Sequence, residues 1–550
     1  MNVAELVGKT LAGLGVGHAF GVVGSGNFTV TNALMAHGVA YTATRHEGGA
    51  ATMADAYSRT SGKVSVLSVH QGCGLTNAAT GIGEAAKSRT PLIVLAAEAA
   101  PSAVYSNFAM DQDSFVTSVY AVSERVHSAE SAVADTVRAY RTAVNDRRTV
   151  VLNLPLNIQA LPAVESVEIP VVVPAEPIRP SQASVEAMAV LLQSSKRPVF
   201  VAGRGGKSAR DEILALARHS GALVATSAVA KGLFNEDEFN LGISGGFSSP
   251  LAAELISHAD LIVGFGCALN MWTMRHGHLI GNGTKVIQVD LEEPALGANR
   301  PVDLGVVGDS AQCASDVLSL LRSQKINQRD GYRTAEVHER ITQRIHWQQV
   351  NYQDLSTDNS IDPRTLTKRL DQLLPAERIL SVDSGNFMGY PSQFLSVPDE
   401  HGFCFTQAFQ AIGLGLYTAI GAGLAQPDRL PVLGTGDGGF HMAIAELDTA
   451  VRLKMPLVCI VYNDAAYGAE VHHFGESDPA ADMASVVFPE TDFAAIGRGF
   501  GAEGITVRSL EDLEAVKQWL ESDPAGPLVI DAKIPSDGGA WWLAEAFKGH

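Results

Sequence analysis

One segment, Gly434 to Gly468, places its polar residues as a cation and phosphate site would need them. Asp437 lies in a run of glycines (Gly434, Gly436, Gly438, Gly439) after the apolar strand Pro431-Val432-Leu433. Ile444, Leu447 and Val451 follow at helical spacing. A second apolar strand, Leu457 to Tyr462, then ends in Asn463 and Asp464, 26 and 27 residues after Asp437. A strand-loop-helix-strand unit brings the C-terminal ends of two parallel strands to one sheet edge, where open α/β sheets bind ligands. Oxygen side chains from the two strand ends, with loop carbonyls, suit Mg²⁺. Either Asn463 or Asp464 can serve as the second side chain. The glycines let phosphate oxygens approach backbone amides at a helix start.

A second constellation lies near the N-terminus. Glu47 stands where a strand gives way to a helix, in Arg45-His46-Glu47-Gly48-Gly49-Ala50-Ala51. A carboxylate there can simply cap the helix. In an apolar, Gly/Ala-lined pocket it can instead keep a raised pKa and hold a proton. His70 opens the loop His70-Gln71-Gly72-Cys73-Gly74-Leu75-Thr76-Asn77 after another buried strand, as an acid/base or as a satisfied loop histidine. Ser25 in Phe20–Gly26, Gln112 in Asp111-Gln112-Asp113, and Glu470 at a helix start after Gly468 are further polar candidates.

Positioning these residues takes more than one domain. At 550 residues the chain is long enough for three. Short strands alternate with helices from Ala19-Val23 through Val64-Val69 to Val150-Leu154, again from Pro198-Val201 to Lys285-Val289, and again from Arg378-Val382 to Leu528-Ile530. That alternation predicts an α/β protein of three tandem doubly wound parallel-sheet domains at 1–165, 182–325 and 360–550. A Pro/Val-rich connector and a polar one join them. With 46% apolar and 18% charged residues and a net charge of −19, the chain has ample core and no basic run, so nucleic acid and anionic membranes are excluded as expected partners. Five scattered cysteines, an N-terminal amphipathic helix without a leader pattern and no membrane-length apolar run predict a cytoplasmic protein.

Gly436-Asp437-Gly438 with Asn463-Asp464 at this spacing resembles the cofactor motif of the thiamine diphosphate-dependent 2-oxo acid decarboxylases and acetolactate synthases. The match extends over nearly the full length, including Glu47 and Ala56-Tyr57-Ser58-Arg59-Thr60-Ser61-Gly62-Lys63. It implies a pyrimidine-binding, a central and a diphosphate-binding domain. Thiamine diphosphate and Mg²⁺ are the implied cofactors, with Asp437, Asp464 and the Ala466 carbonyl on the metal. Where this family usually has Asn-Asn, Asp464 takes the second position. The resemblance further implies that Glu47 hydrogen-bonds the aminopyrimidine ring to activate the cofactor. Ser384, Gly385, Asn386, Phe387, Gly436, Gly438, Gly439, Asn463, Ala466, Tyr467 and Gly468 line the cofactor, and Ile412 is the wedge that bends its rings into a V (a core isoleucine would fit the same position).

By the same resemblance, Ser25 meets the substrate carboxylate, and His70, Gln112 and Glu470 handle protons. Ser25 and His70 match benzoylformate decarboxylase and Glu470 matches pyruvate decarboxylase, whereas the backbone is more like acetolactate synthase. The implied reaction breaks or makes a C–C bond on a small 2-oxo acid or ketone, in a homodimer or homotetramer where Glu47 of one subunit completes the site of the other. A regulatory homologue without activity and a flavin-dependent oxidase of acyl-thiamine intermediates are the alternatives. Ala268-Leu269-Asn270-Met271-Trp272 replaces the Arg-Phe-Asp-Asp-Arg stretch with which acetolactate synthases bind FAD, which makes FAD doubtful. Gly203-Arg204-Gly205-Gly206-Lys207-Ser208 imitates a phosphate loop but lacks its first glycine.

Overall fold

A computed structural model describes residues 1–164, 168–477 and 480–536; the last residues of the expected third domain, 537–550, lie outside these. Continuous Val/Ile/Leu runs form strands buried on both faces, such as Ser65–Val69 and Val458–Asn463, as parallel sheets require.

The first sheet contains β1 (His18–Gly21), β2 (Ala40–Ala43), β3 (Ser65–Val69), β4 (Leu92–Glu98), β5 (Val122–Arg125) and β6 (Thr149–Pro155), in the order β2-β1-β3-β4-β6-β5. The second contains β7 (Pro198–Ala202), β8 (Leu223–Thr226), β9 (Asn240–Ile243), β10 (Leu261–Phe265), β11 (Lys285–Asp290) and β12 (Leu304–Val307), in the order β12-β11-β10-β7-β8-β9. The third contains β13 (Arg378–Val382), β14 (Phe403–Phe405), β15 (Leu430–Gly436), β16 (Val458–Asn463), β17 (Glu503–Val507) and β18 (Leu528–Lys533), in the order β14-β13-β15-β16-β18-β17. All strand pairs are parallel, and helices run between the strands. The expected α/β architecture of three parallel sheets is what the chain forms. Counted within its own sheet, the strand order of the first domain is identical to that of the third.

Five strands not anticipated from the sequence, β5, β9, β12, β14 and β17, lie at or beside sheet edges, and β5 and β12 are only half-buried. With one neighbour missing, such strands lose the continuous apolar run that marks a central strand.

The first and third domains pack through the helices Glu47–Ser61 and Gly415–Ala425. Each follows the second strand of its sheet. One hydrophobic cluster runs across the contact, from Ala50, Met53 and Tyr57 to Leu416, Ile420 and Leu433. At Gly421 a Cβ would strike the Met53 carbonyl, so the two backbones touch. The central domain is stapled on by Lys231, whose Nζ donates to the Ser392 and Leu395 carbonyls (2.7 and 2.5 Å), and by Arg204, which donates to the Ser88 carbonyl. Arg204 of the phosphate-loop imitation is thus an interdomain contact.

Candidate active site

In the third domain, the exits of β13, β15 and β16 meet. β15 runs into the helix Asp437–Ala443, whose first residue is 8% exposed. An Asp437 carboxylate oxygen accepts the Gly438 amide at 2.8 Å. The Ala466 amide reaches both Asp437 and Asp464, so the two carboxylates converge. Burial, then the charge of Asp437, pushes Asp464 up to about 7; burial also raises Asp437. Two desolvated like charges side by side are what a divalent cation relieves. Among the described residues no group of three or more His, Cys, Asp or Glu forms a metal cluster.

Strand alternation separates Asn463 from Asp464. The Asn463 amide donates to the Thr491 carbonyl (3.0 Å) and to Asp531 (2.9 Å), and its oxygen accepts the Ala465 amide. It therefore braces the strand end, and Asp464 is the side chain that faces Asp437. Ala465 adopts a left-handed φ of 56°, which turns the chain back toward Asp437. The ring of Tyr467 covers Gly438, where a Cβ would lie 2.5 Å from it, and stacks edge-on against Phe488. Gly468 abuts an Asp464 oxygen and the Asn386 side chain. Ser384 and Gly385 form the turn before Asn386. Phe387 is buried against Tyr462, with ring centroids 5.5 Å apart, so it supports the turn from below. Ile412 is 38% exposed, which in the single chain is not the burial of a core isoleucine. Glu470 is half-buried in the first turn of the helix Gly468–Ser477.

Asp383 escaped the sequence reading. Fully buried, it accepts the amides of Ser384 (2.8 Å) and Gly413 (3.0 Å) and the hydroxyl of Thr435 (3.1 Å), tying the loops after β13 and β14 to the end of β15. Burial pushes its pKa up to about 6. The signal that could have found it is the one that found Asp437: an acid closing an apolar strand ahead of a glycine turn.

The first domain brings Glu47, His70 and Ser25 together. A Glu47 oxygen accepts the Asn77 amide at 3.0 Å. A Cβ at Gly74 would lie 3.1 Å from His70 Cβ and 3.5 Å from the other Glu47 oxygen, so Glu47 and His70 flank this glycine. His70 Nδ1 lies 3.1 Å from the Gln71 carbonyl, which fixes its proton there and leaves Nε2 toward Ser25 Oγ at 3.4 Å. Gln112 does not join them. It is 1% exposed, accepts the Gly72 amide (3.2 Å) and donates to Asn153 (2.7 Å), so its side-chain amide braces the His70 loop.

Three family profiles match in the order of the domains. They are the thiamine pyrophosphate enzyme N-terminal TPP binding domain over residues 1–117, the central domain over 185–317 and the C-terminal TPP binding domain over 383–532. The chain belongs to the thiamine pyrophosphate (thiamine diphosphate) enzymes. Its relatives include a sulfoacetaldehyde acetyltransferase of Roseovarius nubinhibens, 27% identical over 100% of this chain and 94% of the relative. A probable 2-ketoarginine decarboxylase of Pseudomonas aeruginosa is 28% identical (95% and 92% covered). A probable acetolactate synthase large subunit of Methanocaldococcus jannaschii is 25% identical (97% and 92%). Among the described residues no helix is long and apolar enough to cross a membrane.

Proposed function

We propose that the protein binds thiamine diphosphate and Mg²⁺ and breaks or forms a C–C bond beside the carbonyl of a small 2-oxo acid or ketone, as a decarboxylase or carboligase. The observation that carries this is the convergence of buried Asp437 and half-buried Asp464 at the edge of a glycine turn, a charge arrangement suited to a divalent ion on a diphosphate. Asp437, Asp464 and the Ala466 carbonyl hold the metal; Gly436, Gly438, Gly439, Ser384, Gly385 and Asn386 surround the diphosphate. Bound thiamine diphosphate supplies an electron sink for carbanion chemistry next to a carbonyl.

The chain's own groups do the rest. Glu47 holds a proton at a pyrimidine ring nitrogen. Ile412, left-handed residues on either side of it (Gln410 at 57° and Gly413 at 87°), supports the two rings. His70 Nε2 moves a proton at the substrate oxygen, Ser25 hydrogen-bonds the substrate carboxylate, and Glu470 takes a proton on the opposite wall. The exposed Ile412, Phe409, Met442 and Phe474 around the third domain's loops favour a homodimer or homotetramer in which a second subunit covers them. The net charge and the free cysteines suit a cytoplasmic enzyme.

The test is single turnover of the Mg²⁺/thiamine diphosphate holoenzyme with pyruvate, other 2-oxo acids and 1,2-diketones, following CO₂ and carbonyl products. Turnover that disappears in Glu47→Ala supports the assignment, and the products separate decarboxylase from carboligase. A protein that does not bind the cofactor sinks it.

A further inference from the structure

The loop before one packed helix leads into Glu47 and the loop before the other carries Ile412, and each loop is held by a buried glutamate of the other domain. Glu446, 0% exposed and in the helical segment after β15, accepts the amides of Arg45 and His46, both at 2.8 Å, two residues and one residue before Glu47. Its other oxygen accepts the Thr449 hydroxyl at 2.5 Å. Glu84, also 0% exposed, is on the helix Ala79–Lys87 after β3 and accepts the amides of Ala408 (3.0 Å) and Phe409 (2.6 Å), just before Ile412. Both glutamates follow the third strand of their sheet and reach the loop after the second strand of the other.

Glu84 Oε1, which takes the Ala408 amide, also accepts Arg59 Nη2 (2.8 Å) and the Ser88 hydroxyl (3.2 Å), while Oε2 takes the Phe409 amide. Arg59 in turn donates to the Phe405 carbonyl (3.0 Å) at the start of the same loop and pairs with Asp55. Burial alone would push Glu84 up, but Arg59 and the two loop amides outweigh it and hold the carboxyl below its usual range. The far end of the loop hangs on Asp383 through the Gly413 amide. The arc bearing Ile412 is thus strung between one carboxylate of its own domain and one of the other.

We propose that Glu446 and Glu84 are reciprocal positioning residues, Glu446 fixing the Glu47 loop and Glu84 fixing the Ile412 arc, each across the domain boundary. This rests on the function proposed above, in which Glu47 and Ile412 meet the cofactor rings while the diphosphate rests on a different set of residues. Docking of the two domains then sets the ring-contacting residues without touching the diphosphate seat.

The experiment is calorimetric titration of the full-length protein with Mg²⁺ plus either thiamine diphosphate or inorganic diphosphate. In Glu84→Gln one of the oxygens facing a backbone amide becomes an NH₂ donor. Thiamine diphosphate is expected to bind about tenfold more weakly, with inorganic diphosphate unchanged. On an Ile412→Ala background the same substitution should add little. Gly83→Ala tests the same arc without touching a charge: the new Cβ would lie 2.8 Å from the Phe409 ring, and the same split is expected. For the other clamp, Glu446→Ala should lower kcat about tenfold in the wild type and leave it unchanged in Glu47→Gln. Equal weakening of both ligands, full additivity in either double variant, or no change in thiamine diphosphate affinity overturns the proposal. Failure of the unaltered protein to bind thiamine diphosphate overturns the function itself, and the clamps' role with it.

Discussion

The first and third domains are built on the same strand order, yet their strand exits carry different chemistry. After the third strand, the first domain has His70-Gln71-Gly72-Cys73, where the third has Asp437-Gly438-Gly439. After the second strand, the first domain presents a carboxylate, Glu47, and the third an exposed isoleucine, Ile412. Glu47, His70 and Ser25 gather on one copy of the topology and the Asp437–Asp464 pair on the other. Topology supplies equivalent places, and a few exit residues decide their use.

The sharpest way to break this division is Glu47→Gln. Turnover should fall about 100-fold or more while cofactor affinity changes little, read by steady-state product release and calorimetry. Equal losses in binding and turnover would show that the first domain holds the cofactor as well. Asp464→Ala should do the opposite, weakening Mg²⁺-dependent cofactor binding by about 10- to 100-fold at equilibrium. Retained Mg²⁺ dependence would move the metal away from the third domain.

A smaller effect comes from Asp383. Its folded pKa of about 6 exceeds the usual carboxylate value, so the folded state binds its proton more tightly than the unfolded state does. Cofactor-free protein should therefore lose stability as pH rises from about 4 to about 6, by at most about 3 kcal/mol from this group. Denaturant titrations at several pH values of the protein and of Asp383→Asn would measure the difference in slope; parallel curves would count against it. Ser25→Ala should have the least effect, raising KM a few-fold with kcat nearly unchanged. A kcat effect as large as that of His70→Ala would make Ser25 part of proton transfer.

Much of this division could be read from the sequence, because both halves declare themselves at strand ends. An apolar run that breaks into glycines around an acid is a local signal, and it singled out Asp437; Asp464 closes the next apolar strand, and the turn at Ser384 came from the family resemblance. The central strands were visible for the same reason. What escaped depends on partners far along the chain. The amide of Gln112 is occupied by Gly72 and Asn153, and Asn463 by Thr491 and Asp531, and no local pattern distinguishes a polar side chain that braces a loop from one that meets a ligand. Glu84 and Glu446 resembled ordinary helix residues, since the loops they hold are more than 300 residues away in sequence. Asp383 was locally visible and was passed over.

The backbone contact at Met53 and Gly421 has a practical consequence. With no layer of side chains between the helices there, the first and third domains have no surface on which to slide, and the cluster from Ala50 to Leu433 is continuous across the boundary. Covalent continuity is then dispensable to their union. A chain cut in the connector near residue 175, exposed and outside every sheet, should stay together as two fragments that purify as one particle.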